Sequence, residues 1–260
     1  MTMHTARHST APGTVRVPDA VDGVAVLTLD RPPANALSDA LVRELTATLN
    51  TLAAAPDAPA LVLTGAGGRF FCAGGDVKEA VGLDAASMAE RMTSFHALLC
   101  ALEDFPRPLV CAVDGWCVGG GIEMALFTDV VYASREARFV FPEIDHGLLP
   151  AAKGVARVRA VLGDRAARRL LLGGEPLDAY AARSIGLVDH VVGRDELLAT
   201  ATEDARRAAA KPPAVFAALK RALHTDIADR PGEQLRATTT DARTVFDDPA
   251  ARAAREAWND

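Results

Sequence analysis

The chain has 260 residues, 50 % hydrophobic and 24 % charged, a balance that can bury a sizeable core and excludes wholesale disorder. Twenty-eight basic against 34 acidic residues leave a net charge of −6, which excludes the broad basic surface of a general nucleic-acid binder. Four cysteines (Cys72, Cys100, Cys111 and Cys117) form neither a CxxC pair nor a disulfide framework, so reduced thiols are expected.

The first twenty residues lack the apolar run of a secretory signal. The most apolar stretch, Leu109 to Phe127, is interrupted by Asp114 and Glu123, so no membrane span is expected. A cytoplasmic location follows as the expectation. Residues 1–19 read as a flexible polar tail. Val24–Asp30 then reads as a strand ended by Arg31-Pro32-Pro33, and Ser38 as the N-cap of a helix with Leu41, Leu45, Leu49 and Leu52 on one stripe. Ala60–Thr64 is a short buried strand running into the turn Gly65–Gly68, and a second helix is predicted from about Ser87 to Asp104. Pro106 and Pro108 precede another buried strand, Leu109–Val113. Gly119-Gly120-Gly121 opens a helix to about Phe127, with strands at Val130–Ala133 and Arg138–Phe141 beyond it. From Val155 the pattern is mostly helical, broken at Gly173-Gly174 and by a strand near Leu187–Val192. Strands alternating with helices predict βαβ units and an α/β fold: a core over 20–194, followed by a helical region over 195–260.

Several chemistries lack support. Neither GxGxxG nor GxxxxGK[ST] occurs, and Ser184 in Ala182-Arg-Ser-Ile-Gly186 sits in a helical pattern rather than on a nucleophile elbow. The six histidines are scattered without ligand spacing, so no metal is implied.

Two glycine-bearing turns and two glutamates carry the chemical signal. Phe70–Lys78 is an apolar strand end followed by Gly74 and Gly75, where the backbone can approach a ligand closely. Gly119–Gly121 stands at a helix start, where unpaired N–H groups collect and favour negative charge. Two such N–H sources facing one cavity make an oxyanion hole. Glu123 is the only charged residue between Asp114 and Asp129, and Glu143 follows Pro142 at the end of an apolar strand. Two carboxylates in apolar surroundings can serve as acid and base. The same residues also suit a buried ion pair and tight packing turns, so residue types alone leave the catalytic reading open.

Taken in order, Arg31–Leu37, Leu61–Gly68, Phe71–Lys78, Gly119–Glu123, Pro142-Glu143, Gly174–Val188 and Lys211–Pro213 closely resemble the crotonase, or enoyl-CoA hydratase/isomerase, superfamily. The resemblance runs from about residue 20 into the C-terminal helices. It implies a spiral of βαβ turns with two roughly perpendicular sheets, and C-terminal helices that build a trimer or a dimer of trimers. It implies an acyl-coenzyme A thioester as substrate, with no cofactor beyond the coenzyme A that the substrate carries. By motif position, the amides of Gly75 and Gly120 form the oxyanion hole and Glu123 and Glu143 flank the substrate double bond. Ala73, Gly75, Asp76, Val77, Lys78 and Gly120 would line the coenzyme A site, and Arg69, Lys78, Lys211, Lys220 and Arg221 are candidates to meet its phosphates.

Retention of both glutamates points to hydration of a 2-enoyl-CoA. The alternatives are an enoyl-CoA isomerase using Glu143 alone, a specialised acyl-CoA lyase or hydrolase of the same fold, and a non-enzymatic acyl-CoA- or RNA-binding relative. One departure stands near the site. Where the family often has Pro-Gly-Ala-Gly-Gly, this chain reads Pro150-Ala-Ala-Lys-Gly154, so Ala151 and Lys153 are expected to narrow the acyl pocket or shift the water. His146 is a further candidate acid or base, and Trp116 a candidate wall of the acyl pocket.

Overall fold

The computed structural model describes residues 14–81 and 83–224, together with 247–249, 252, 253 and 256. Strands β1 (Thr14–Arg16) and β2 (Val24–Asp30) precede α1 (Asp39–Ala54); β3 (Ala60–Gly65) and β4 (Phe70–Cys72) precede α2 (Val77–Val81) and α3 (Ala85–Glu103). Next come β5 (Leu109–Val113), β6 (Trp116–Val118), α4 (Gly120–Leu126), β7 (Val130–Ser134) and β8 (Arg138–Val140). A 3-10 turn, Glu143–His146, leads to α5 (Ala152–Gly173), β9 (Leu177–Asp178), α6 (Ala179–Ser184), β10 (His190–Val192), α7 (Arg194–Ala209) and α8 (Pro213–His224).

Six strands form one sheet in the order β1-β2-β3-β5-β7-β10, parallel except for the β1–β2 pair. Four more form a second sheet, β4-β6-β8-β9, in which only β8–β9 is antiparallel. The chain alternates between the sheets: β3 feeds β4, β5 feeds β6, and β7 feeds β8. This is the α/β crotonase-like spiral of βαβ units that the resemblance implies. Central strands buried on both faces explain the unbroken apolar runs Leu61–Leu63 and Leu109–Val113.

Ser38 caps α1, its hydroxyl accepting from the Leu41 N–H at 3.2 Å, and Leu41, Leu45 and Leu49 are buried as their spacing predicts. Three expectations change. Residues 14–16, placed in the polar tail, form β1 on the edge of the large sheet; Arg16 pairs with Asp30 at 3.1 Å. The strand expected from Leu187 starts only at His190. Leu187 and Val188 are buried in the approach to it, where the Leu187 N–H donates to Ala182 and the Asp189 carboxylate takes the Val131 N–H. The boundary at 195 also cuts through a working part of the core. Leu197, Ala201 and Ala205 of α7 pack on Val24, Val62, Val110 and Tyr132 of the large sheet. Of the helical region beyond α7, α8 is described and the rest falls mostly outside the described residues.

The corner between the sheets is held by Asn35. It is 2 % exposed, and its amide nitrogen donates to the carbonyls of Ala66 (2.9 Å), Phe70 (2.9 Å) and Phe71 (3.3 Å). Its Oδ1 accepts from the Arg31 N–H at 3.0 Å, and its φ of 53° lies in the left-handed region. Asn35→Ala strips these partners and retains the strained backbone. A loss of about 2–4 kcal/mol is expected, read from the urea midpoint at unchanged slope.

Candidate active site

The second sheet delivers the chain into the site. After β6, Gly119 turns the backbone at φ 47° and ψ −112°, and its N–H donates to the Val140 carbonyl at 2.9 Å. A side chain is excluded here twice over. The left-handed φ disfavours it, and an added Cβ would overlap Oε1 of Glu143. Helix α4 then carries Glu123 into the core at 2 % exposure, among Ile122, Met124, Ala125 and Leu126.

Glu123 is held from the other side by the start of α5. Its Oε1 accepts the Ala151 N–H at 3.0 Å. A Cβ built on Gly154 would overlap that same oxygen. Each glutamate therefore fills space that a neighbouring glycine leaves free.

Glu143 opens the 3-10 turn after β8, and its Oε2 is buried with no hydrogen-bond partner among the described residues. Burial pushes its carboxyl up to about 7, opposed by a bond from its own backbone. Glu123 is raised well above the usual carboxylate range, by burial first and by the charge of Glu143 second; the Ala151 N–H opposes this. The charge of Glu143 thus bears on Glu123, so the two carboxyls titrate as a coupled pair, and a proton held by Glu143 favours the carboxylate form of Glu123.

A third element frames the glycine turn after β4. Leu37 brackets Gly75: its N–H donates to Gly74 at 2.8 Å, and its carbonyl accepts from Asp76 at 3.0 Å and from Arg91 at 2.9 Å. Arg31 pairs with Asp76 at 2.6 Å from the far side. The Gly75 N–H has no acceptor among the described residues, and neither has the Gly120 N–H at the start of α4.

These groups line one cleft with a cavity of about 160 Å³. Ala73, Gly75, Asp76, Val77, Gly120, Glu123 and Glu143 all face it, as do His146 and Ala151. Val42, Met88, Met92, Phe95 and Leu148 supply apolar walls. Among the described residues no group of three or more His, Cys, Asp or Glu could hold a metal. Desolvation holds the His146 imidazole below its ordinary pKa, with Asp145 opposing.

Several predicted residues stand elsewhere. Lys78 is exposed on α2 and outside the cleft lining, whereas Asp76 faces the cleft but spends its charge on Arg31. Arg69 is exposed and lies over the Phe70 ring, and Lys211 and Arg221 are exposed. Lys220 is corrected outright: it is 6 % exposed and paired with Asp129 at 2.9 Å, so it cannot meet a phosphate. Trp116 lies on β6 away from the cleft. Lys153 does not line the cleft. It is 4 % exposed, and its ammonium is bonded to Glu103. Met88, Arg91, Met92 and Phe95 of α3 line the cleft without having been singled out from sequence. The helix is apolar on most faces, so its periodicity does not mark one side as the cleft wall.

Comparison with known proteins agrees with this architecture. A family profile described as Enoyl-CoA hydratase/isomerase matches residues 19–258. The chain is 38 % identical over 202 residues to a 2,3-dehydroadipyl-CoA hydratase of Escherichia coli (strain K12), covering 77 % of this chain and 78 % of that protein. Among solved structures, an enoyl-CoA hydratase/isomerase from Mycobacterium paratuberculosis superimposes with a TM-score of 0.84 at 26 % identity, over 97 % of this chain and 100 % of the other. A carnitinyl-CoA dehydratase from Mycobacterium avium 104 does so with 0.82 at 32 % identity, over 95 % and 97 %. With a matching profile over nearly its whole length, and with fold and cleft in accord, the chain belongs to the enoyl-CoA hydratase/isomerase family of crotonases and is an enzyme of that hydratase/isomerase chemistry.

Proposed function

We propose that the protein adds water across the 2,3 double bond of a 2-enoyl-CoA thioester. The observation that carries this reading is the convergence of two buried carboxyls, Glu123 and Glu143, on a cleft that also exposes two unpaired backbone amides. Glu123, fixed by Ala151, orients a water and takes its proton as oxygen attacks the β-carbon. Negative charge then develops on the thioester oxygen, where the Gly75 and Gly120 N–H groups stabilise it as an enolate. Glu143 delivers a proton to the α-carbon as the enolate collapses. Both amides act on charge that is largest in the transition state, so their effect falls on turnover rather than on binding.

The coenzyme A moiety is read at Ala73, Gly75, Asp76, Val77, Lys78 and Gly120, mainly through backbone groups. The walls formed by Met88, Met92 and Leu148 suit a flexible apolar acyl chain, since thioethers adapt to varied shapes. A trimer, or a dimer of trimers, is what the family resemblance implies, and α8 offers an apolar face for a subunit contact. Its Val215, Leu219 and Leu223 recur one turn apart and are 55, 61 and 75 % exposed. Among the described residues no helix is long and apolar enough to cross a membrane.

The test mixes purified protein with crotonyl-CoA and follows loss of the conjugated thioester absorbance, beside Glu123→Gln. Loss that depends on Glu123 supports hydration. A stable absorbance, with conversion of a 3-enoyl-CoA by Glu143 alone, would make the protein an isomerase instead. The pH profile is a second check. Glu143 must carry its proton to act as the acid, so hydration is expected to decline as pH rises through about 7. An alkaline limb that stays unchanged in Glu143→Asp would speak against that assignment.

A further inference from the structure

Lys153 stands where the sequence departs from its family's glycine-rich loop, and it lies between the two backbone positions that touch Glu123. Ala151 donates its N–H to Glu123 Oε1, and Gly154 lies flat against the same oxygen. The intervening lysine turns away from the cleft. Its ammonium bonds Glu103, near the end of α3, at 2.5 Å, and both side chains are buried, at 4 % and 8 % exposure. The same ammonium sits 5.3 Å from the Phe127 ring centroid, and the Arg157 guanidinium lies 5.1 Å from it. Arg157 also donates to the Leu126 carbonyl at 2.8 Å, on the last residue of α4.

The first turns of α5 thus grip both α3 and the end of the helix that bears Glu123. We propose that Lys153, through its ion pair with Glu103, is a positioning residue that sets the 151–154 segment against the Glu123 carboxylate. A glycine-rich loop would have to be ordered by packing alone. Here one buried ion pair fixes the height of the Ala151 amide and of the Gly154 surface together. A buried pair of this kind fixes geometry more reliably than it adds stability, because desolvation offsets much of its attraction. The assignment rests on Glu123 acting on water as proposed above.

The decisive variant replaces the pair by apolar residues, Lys153→Met with Glu103→Leu, which removes one buried charge of each sign and leaves the Arg157 guanidinium to the Asp129 carboxylate. It is compared with Lys153→Arg, which retains the pair. Two readouts are taken: kcat and KM on crotonyl-CoA, and the hydrogen-exchange rate of the Ala151 amide referenced to Val110 in the core. The expected result is a folded protein with KM unchanged, kcat lowered about tenfold or more, and Ala151 exchange accelerated by a similar factor. Lys153→Arg is expected to recover most of both. An apolar pair that folds and retains wild-type kcat and Ala151 protection overturns the proposal. Should it not fold, Glu103→Gln takes its place: lowered kcat with faster Ala151 exchange supports the proposal, and wild-type values of both overturn it. If wild-type protein fails to hydrate crotonyl-CoA, the hydratase reading fails, whereas the exchange comparison still decides whether Lys153 holds the Ala151 contact.

Discussion

Glu143→Gln is expected to remove most hydratase turnover while making the folded protein more stable at pH 8. The activity loss follows from removing the only group assigned to protonate the α-carbon. General acid–base contributions of this kind are worth about 10²–10⁴-fold in rate. The stability gain follows from linkage. Glu143 has its carboxyl raised by burial from 4.5 to about 7, so folding takes up a proton between those values. Its contribution is fully present below pH 4.5 and is lost as pH rises through about 7. Above that, the folded state bears a disadvantage of about 3 kcal/mol that the amide of glutamine does not share.

Buried Oε2, without a partner, is the structural origin of that disadvantage. Thermal melts of wild type and Glu143→Gln at pH 5 and pH 8 check it. The midpoints are expected to lie close together at the lower pH and to separate by several degrees at the higher one, in favour of the variant. A variant no more stable at pH 8 would mean that the carboxylate finds compensation that the geometry does not contain.

Gly154→Ala is the second large effect. In an ordinary helix interior the change from glycine to alanine stabilises by up to about 1 kcal/mol. Here the new methyl would occupy the space of Glu123 Oε1, and the carboxylate must leave its bond to Ala151 or the first turn of α5 must shift. Misplacing a reacting group by about an ångström can cost about 10²-fold in rate, so kcat is expected to fall by that order. Overpacking is expected to reverse the usual sign and lower stability by about 1–3 kcal/mol. Gly173→Ala, at the end of the same helix with nothing within 4 Å of the added carbon, is the control and should leave kcat unchanged. Steady-state kinetics and urea unfolding of the two variants suffice.

The parts of this protein that its sequence announces are those governed by local rules. Ser38 and the leucines of α1 follow from capping and a 3.6-residue period, and the buried strands from runs that alternate with helices. Glu123 was legible because it is the single charge in an apolar helix, and charge buried without a sequence-adjacent partner is uncommon. What stayed hidden depends on distant pairings. Lys220 reads as a solvent cation until Asp129, 91 residues earlier, is found beside it. Lys153 reads as an obstruction in the cleft until Glu103, 50 residues earlier, takes its ammonium the other way. Arg91 and Met92 look like ordinary helix residues because nothing local says which side of α3 meets Gly75. The space that Gly119 and Gly154 leave for the two carboxylates is likewise set by how β6, α4 and α5 meet.

The packing of α7 bears on how this chain is made. Val24, Ala60, Val62, Val110 and Ala112, from strands spread over the first half of the sequence, find their cover in Leu197, Ala201 and Ala205. Synthesis runs from the N-terminus at about 5–20 residues per second, so that apolar sheet face exists for several seconds before its lid has been translated. Until then that face has no cover from its own chain, and exposed apolar surface of this kind is prone to aggregation. A message truncated before residue 194 would yield a product fit for degradation rather than a smaller enzyme.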